Sequence, residues 1–484
     1  MNNPAALALT EFEADADNPF LPILEKQRAA FLDAGAPTAE QRRDSLARLK
    51  SAILAHKEAI VESAEKDFGH RPRCETLLAE LVGSFAQIRY NRKHLKKWMK
   101  PEKVPFTPLF PLSRARIEFQ PRGVIGIIGP WNAPVYLALS PVFDALAAGN
   151  RVMLKTSELS PHTAEVVKSI VESAFDEAEF AVINGDAEAA AQFSALPFDH
   201  VVFTGSTRVG KIVMQAAAEH MTPVTLELGG KSPTIVSDNY PLDKAAERIT
   251  RGKFTNGAQA CIAPDYIFVP TERRDELIAE LTRVVERTYP DWANNDDLTW
   301  ILNDRHYDRL KGLVEDARTR GAKVIEINPG GGEIPPGRRI FPLTILIDVT
   351  DDMKVMEEEL FGPILPIKTY DDIDSVIRYI NERPHPLALY YFDQNRKRAE
   401  EVIEKTISGG ACVNDTVVQV VHESLPLGGV GTSGVGRYNG EAGFRTFSHQ
   451  KSVLYQGRWA AHQLFSPPYS DRVRKLIEMM VDRL

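Results

Sequence analysis

The chain has 484 residues, 43% hydrophobic and 26% charged, ordinary values for a globular protein and too many residues for one core, so two or three domains are expected. Lys and Arg number 58 against 66 Asp and Glu, a net charge of −8 with no basic stripe, which excludes nucleic acid or an anionic membrane surface as the main partner. Cys74, Cys261 and Cys412 lie far apart without metal-ligand spacing; they point to a reducing compartment, the cytoplasm, and to neither a disulfide scaffold nor a metal site.

Glu11, Glu13, Asp15 and Asp17 follow Met1 closely, the reverse of a signal peptide's positive start and apolar core. Residues 39–56 place Leu46, Leu49 and Ile53 at helical spacing, and residues 75–98 repeat that pattern, so the first hundred residues read as helices. Residues 101–108 are Pro-rich and extended. Residues 113–120 alternate polar and apolar, a one-sided strand, with 446–455 as a second; the residues alone support a surface hairpin.

Residues 124–149 are nearly all apolar or small, but Pro130, Asn132, Pro134, Pro141 and Asp144 would be costly in a lipid-exposed helix. A buried strand, a loop and a helix is the better reading. From residue 122, apolar runs at 123–128, 152–154, 181–183 and 201–203 alternate with helical segments at 138–148, 163–174 and 187–194. That alternation predicts an α/β fold with a doubly wound parallel sheet and ligands beyond the strands' carboxyl ends. A second alternation begins near Ser232, with strands at 234–237, 266–269, 323–327 and 345–349 and a helix at 274–287. Residues 328–338 read as a surface loop, and 471–484 as a short amphipathic helix too charged to anchor in a bilayer.

Two glycine patterns are decoys. Residues 429–434 spell GxGxxG without the flanking strand and helix of a dinucleotide fingerprint, and residues 205–211 miss a P-loop because Ile212 stands where Ser or Thr must meet magnesium. The second still has a use: Gly205, Ser206, Thr207, Arg208, Val209 and Gly210 join a strand to a helix, and a helix N-terminus suits a pyrophosphate. A capped turn without ligand fits those residues equally. Lys155 and Glu158 follow the 152–154 strand, where they could bond ribose hydroxyls, with Glu158 repelling a 2′-phosphate and favouring NAD over NADP in part; solvated charges on a loop fit the residues as well.

Cys261 sits in a small-residue stretch, 257–264, that leaves a sulfur open to a ligand; alone it would read as an inert buried thiol. Asn132, within 130–134, and Glu227, within 226–233, each follow an apolar run. Amide donor, carboxylate and thiol are the oxyanion stabiliser, base and nucleophile of covalent acyl chemistry. Leu226 and Leu228 would raise the Glu227 pKa toward neutrality; the alternative is a buried carboxylate paired with Lys231. Cys412 reads as packing and Cys74 as surface.

The chain resembles the aldehyde dehydrogenase family through six motifs in family order: residues 130–134, 203–210, 227–233, the Cys261 segment, 358–363 and 425–431. Within the family it is most similar to the class-three-like branch that holds bacterial coniferyl aldehyde dehydrogenases, on residues 131–139 and 261–266. The resemblance implies oxidation of an aldehyde to its acid through a thiohemiacetal and thioester on Cys261, hydrolysed with Glu227 as base. It implies NAD, with NADP as an alternative, held also by Pro130, Trp131, Leu228, Glu359 and Phe361. It further implies an NAD-binding domain from 1–100 and 124–226 with part of 413–445, a catalytic domain at 227–412, bridging strands at 101–123 and 446–460, a tail at 461–484, and a homodimer. Ala133 departs from the aromatic residue usual after Asn132, which leaves the aldehyde open between aromatic and long apolar or aliphatic. A catalytically silent ligand-binding protein on the same scaffold is the other reading.

Overall fold

The structure, a computed structural model, describes residues 17–107, 110, 112–460, 463 and 465–483. The acidic cluster at Glu11, Glu13 and Asp15, Pro108 of the extended stretch, residues 461, 462 and 464 of the expected tail, and Leu484 lie outside the described residues.

Two sheets position everything that follows. The first runs in the order Gly434–Val435, Val224–Leu228, His200–Gly205, Val124–Ile128, Arg151–Lys155 and Phe180–Ile183. Its five longer strands are parallel, and Gly434–Val435 closes one edge antiparallel. The second runs Lys323–Ile327, Leu343–Ile347, Ile364–Tyr370, Tyr266–Pro270, Pro233–Val236, Ala388–Phe392 and Gly410–Val413, parallel except for the first. Val124–Ile128, Tyr266–Pro270, Leu343–Ile347 and Ala388–Phe392 are buried along their whole length. Helices cover both faces of such sheets, so their strands carry unbroken apolar runs. Ile364–Tyr370, Ala388–Phe392 and Gly410–Val413 are not among the strands expected from the sequence: Ile364–Tyr370 carries Pro366, which argues locally against a strand, and Gly410–Val413 is only four residues long and opens on glycine. The expected 345–349 strand lies two residues earlier, at Leu343–Ile347.

A third, antiparallel sheet joins Glu102–Lys103, Ser113–Pro121 and Ser448–Gln456, with Ser448 opposite Pro121 and Gln456 opposite Ser113. Ser448–Gln456 is exposed at nearly every position, and Leu454 and Tyr455 present apolar surface.

Two differences from the expected elements matter for the site. The helix expected over 75–98 is interrupted: Arg73–Thr76 is α-helical, Leu77–Val82 is a π-turn, and Gly83–Trp98 resumes the α-helix. The helix expected at 138 starts at Tyr136. Its added turn is capped from elsewhere, because the Glu80 carboxylate accepts the N–H groups of Val135 (3.1 Å) and Tyr136 (2.8 Å). Such a cap satisfies donors that helix termini otherwise leave free. Residues 124–149 form the expected buried strand, loop and helix, and among the described residues no helix is long and apolar enough to cross a membrane.

Candidate active site

Asn132, Glu227 and Cys261 lie close together: the Asn132 amide bonds the segment just before Cys261, and the Glu227 carboxylate acts on the Cys261 thiol. Glu227 lies in the strand Val224–Leu228, one position before its carboxyl end. Asn132 lies on the loop after Val124–Ile128, and Cys261 on the turn before Tyr266–Pro270. Asn132 Nδ2 donates to the carbonyl of Gln259 at 3.0 Å, so its amide is held against the segment that carries the thiol. One N–H serves that carbonyl, and the other remains for a ligand oxygen.

The cysteine turn is over-determined. Asn256, Gly257 and Ala258 have φ of 55°, 61° and 63°, three consecutive left-handed residues. For Ala258 that conformation costs about 1–2 kcal/mol. The strain is held by hydrogen bonds. Asn256 Nδ2 donates to the Asn132 carbonyl at 2.8 Å, and Gln259 Nε2 to the carbonyls of Asn256 and Trp300, each at 3.0 Å. Gln259 Oε1 accepts the Leu302 N–H at 2.9 Å. Gly257 has no room for a side chain, since a Cβ would come within 2.7 Å of the Thr299 carbonyl oxygen. Past the cysteine, Lys253 Nζ donates to the Pro264 carbonyl at 2.8 Å and Tyr390 Oη to the Ile262 carbonyl at 2.5 Å.

Electrostatically the centre is set by burial. Glu227 is 2% exposed, and among the described residues neither of its carboxylate oxygens has a hydrogen-bond partner. Burial pushes its pKa well above the usual carboxylate range. The alternative pairing with Lys231 does not form. Lys231 instead pairs with Asp265 and donates to the carbonyls of Val355 (2.7 Å) and Glu358 (3.0 Å). Burial, then the Glu227 and Glu359 carboxylates, push the Cys261 thiol up; the backbone N–H groups of Cys261 and Ile262 oppose them. A residue that no motif flagged belongs to this pocket. Tyr438 is fully buried, its hydroxyl has no partner among the described residues, and the nearby Glu227 carboxylate helps raise its pKa.

The residues expected around a dinucleotide lie at the carboxyl ends of adjacent parallel strands. In register, Ile128 faces both Lys155 and Phe203, and Gly205 faces Leu228. Pro130 and Trp131 follow the central strand. Gly205 ends the next strand, and Thr207–Glu219 is the helix after it. Ser206 caps that helix by accepting the Val209 N–H at 3.4 Å. The remaining first-turn N–H groups of Thr207 and Arg208 have no intrahelical acceptor. Gly210 keeps the helix close to its strand, because a Cβ there would meet Leu228 at 2.7 Å.

Lys155 is 1% exposed and carries no ion pair among the described residues, yet donates to the carbonyls of Thr156 (2.6 Å) and Gly185 (2.8 Å). A buried ammonium with a third N–H unused suits a ribose hydroxyl. Glu158 is exposed beside it, and its charge partly offsets the lowering of the Lys155 pKa by burial.

Glu359 folds over the Gly229–Gly230 turn. A Cβ at Gly229 would meet its carboxylate oxygen at 2.0 Å. Burial pushes the Glu359 pKa up to about 8, with the Asp265 charge adding and the Gly230 N–H, Lys231 and Arg309 opposing. Phe361, at φ 49°, packs edge-on against Trp131 with ring centroids 5.4 Å apart. Of the other thiols, Cys74 is exposed and Cys412 half-buried, its pKa raised to about 11 by burial.

Residues 9–453 match the model of the aldehyde dehydrogenase family. A probable coniferyl aldehyde dehydrogenase of Pseudomonas aeruginosa is 45% identical over 455 residues, 94% of each chain. Among solved structures, the substrate-bound state of Staphylococcus aureus AldH is 37% identical with a TM-score of 0.88, covering 95% of this chain and 99% of that one. A Mycobacterium tuberculosis aldehyde dehydrogenase complexed with NAD+ is 27% identical with a TM-score of 0.81, covering 90% of each.

Proposed function

The chain belongs to the aldehyde dehydrogenase family and is an NAD(P)-dependent aldehyde dehydrogenase, and from that premise we infer a substrate, a set of roles and an assembly. The substrate is an aromatic aldehyde of the coniferaldehyde type. That choice rests on the similarity to the Pseudomonas aeruginosa relative.

Cys261 is the nucleophile. Its sulfur attacks the aldehyde carbon as a thiolate, and the Asn132 amide donates to the oxygen that becomes negative. A donor of this kind contributes roughly 3 kcal/mol. NAD(P), when bound, would supply the hydride acceptor; with the hydride gone from the carbon, Cys261 holds the acyl group as a thioester. Glu227 takes a proton from the water that hydrolyses the thioester. A carboxylate with two uncommitted, desolvated oxygens is suited to that work, and this is the observation that carries the assignment. The dinucleotide would be held by Pro130, Trp131, Lys155, Glu158, the loop Gly205 to Gly210 and Leu228, at or just after the carboxyl ends of adjacent strands of the first sheet, and by Glu359 and Phe361, which lie against Gly229 and Trp131.

In this reading the cofactor domain takes in the first sheet as far as Leu228 together with Gly434–Val435, and the catalytic domain takes in the second sheet as far as Val413. The exposed strand Ser448–Gln456 is the bridge of a homodimer, and the enzyme acts in the cytoplasm. The test is NADH formation across a panel of aldehydes at equal concentration. Coniferaldehyde is expected to lead, and equal kcat/KM for acetaldehyde would remove the aromatic assignment. If the protein binds NAD without turning over any aldehyde, it is the silent ligand-binding protein instead.

A further inference from the structure

Two carboxylates of one short segment reach the two halves of the catalytic centre. Glu75 accepts the backbone N–H of Asn256 on one oxygen and the Thr299 hydroxyl on the other. Asn256 opens the left-handed run that leads to Cys261. Five residues on, Glu80 is fully buried, pairs with Arg71 at 2.6 Å, and accepts the N–H groups of Val135 and Tyr136 at 3.1 and 2.8 Å. Those N–H groups end the loop that carries Asn132. The Asn256 side chain donates back to the Asn132 carbonyl at 2.8 Å. The hydrogen-bonded ring is therefore closed from Asn132 through Glu80, the helical segment, Glu75 and Asn256 to Asn132 again.

The interruption of the helix now has a reason. On an α-helix, residues five apart point about 140° away from one another. The π-turn Leu77–Val82, with its wider i→i+5 turn, brings positions 75 and 80 toward a common face.

We propose that Glu75 and Glu80, spaced by this π-turn, are positioning residues that set the Cys261 segment at a fixed distance and angle from the Asn132 amide. The proposal rests on the reading of Cys261 as nucleophile and Asn132 as oxyanion donor. Neither carboxylate touches the reacting atoms; each acts through the backbone it holds.

Glu75→Leu removes both acceptors at similar volume, whereas Glu75→Gln retains an acceptor for the Asn256 N–H and a donor to the Thr299 hydroxyl. In Glu75→Leu, kcat with a saturating aldehyde is expected to fall about 10–100-fold, the scale on which misplaced catalytic groups act. KM for NAD should change less than about 2-fold, since the dinucleotide edge of the first sheet is not held by Glu75. Glu75→Gln should stay within about 3-fold of wild type.

A double-mutant cycle separates positioning from general damage. In an Asn132→Ala background the donor is already gone, so Glu75→Leu should cost less than about 2-fold more. Losses that multiply fully across the cycle, a matching rise in cofactor KM, or Glu75→Gln falling as far as Glu75→Leu would overturn the strut. Wild-type kcat in Glu75→Leu would overturn it too. Activity retained in Asn132→Ala or Cys261→Ala would instead sink the underlying site reading, and the strut with it.

Discussion

Gly229→Ala tests how the Glu227 strand is coupled to Glu359. The new Cβ would stand 2.0 Å from one Glu359 carboxylate oxygen and 2.5 Å from its carboxyl carbon. Ordinary contact begins near 3.4 Å, so the carboxylate must retreat by about 1.4 Å. Glu359 is half-buried and its carboxylate is the far end of a flexible side chain, so much of that retreat is made by rotation of the side chain. The cost therefore lies at the low end of overpacking, about 1 kcal/mol. At roughly 2 °C per kcal/mol for a large domain, the melting temperature should fall by about 2 °C. Because Glu359 is assigned to the cofactor, KM for NAD should rise at least about 10-fold. Glu359→Ala removes the colliding atoms, so Gly229→Ala in that background should cost less than about 0.5 kcal/mol further. Thermal melts and NAD titrations of the wild type, two single variants and the double variant complete the cycle. If the two single effects simply add, Glu359 does not occupy the space above Gly229 and the reasoning is wrong.

Cys261→Ala should abolish NADH formation while NAD binding, followed by quenching of tryptophan fluorescence, persists. Glu227→Gln should slow turnover by about 10²-fold or more and let an acyl-Cys261 peptide accumulate; mass spectrometry finding the acyl group on another side chain would refute the nucleophile. Burial raises the Glu227 pKa well above the usual carboxylate range, and its base form is the deprotonated one, so deacylation should quicken as pH rises through that raised pKa, above the range where an ordinary carboxylate titrates; a rate independent of pH would exclude Glu227 as base. The Glu227 charge also helps hold the Cys261 thiol protonated, so in Glu227→Gln the pH midpoint for alkylation of Cys261 by iodoacetamide should move down. Glu158→Gln removes the charge expected to repel a 2′-phosphate and should raise kcat/KM for NADP relative to NAD by about 10-fold, read from initial rates with each cofactor.

The candidate reactive groups were legible because each sits in a short distinctive setting: one of only three thiols, among small residues, and an amide and a carboxylate each after an apolar run. The first alternation of strands and helices was legible for a related reason, since period and punctuation are local. Lys231 shows where local reasoning ends. It stands four residues from Glu227, yet its ammonium pairs with Asp265, far along the chain. Glu75 is the sharper case. Read locally it is a charge on a helix beside a surface cysteine, but its partner Asn256 is 181 residues away. The strand Ile364–Tyr370 escaped because Pro366 lies inside it, a residue that read locally argues against a strand, although the strand is paired on both sides.

The chain by itself settles which chemical groups are present, because side-chain chemistry and short-range periodicity are written residue by residue. Tertiary structure alone decides which of them meet, and in what state of protonation. Hydrogen bonds act over about 3 Å and desolvation depends on every atom packed around a charge, so both are set by segments that only folding brings together. The empty hydrogen-bonding capacity of Glu227, the left-handed turn before Cys261 and the π-turn between Glu75 and Glu80 belong to that second kind.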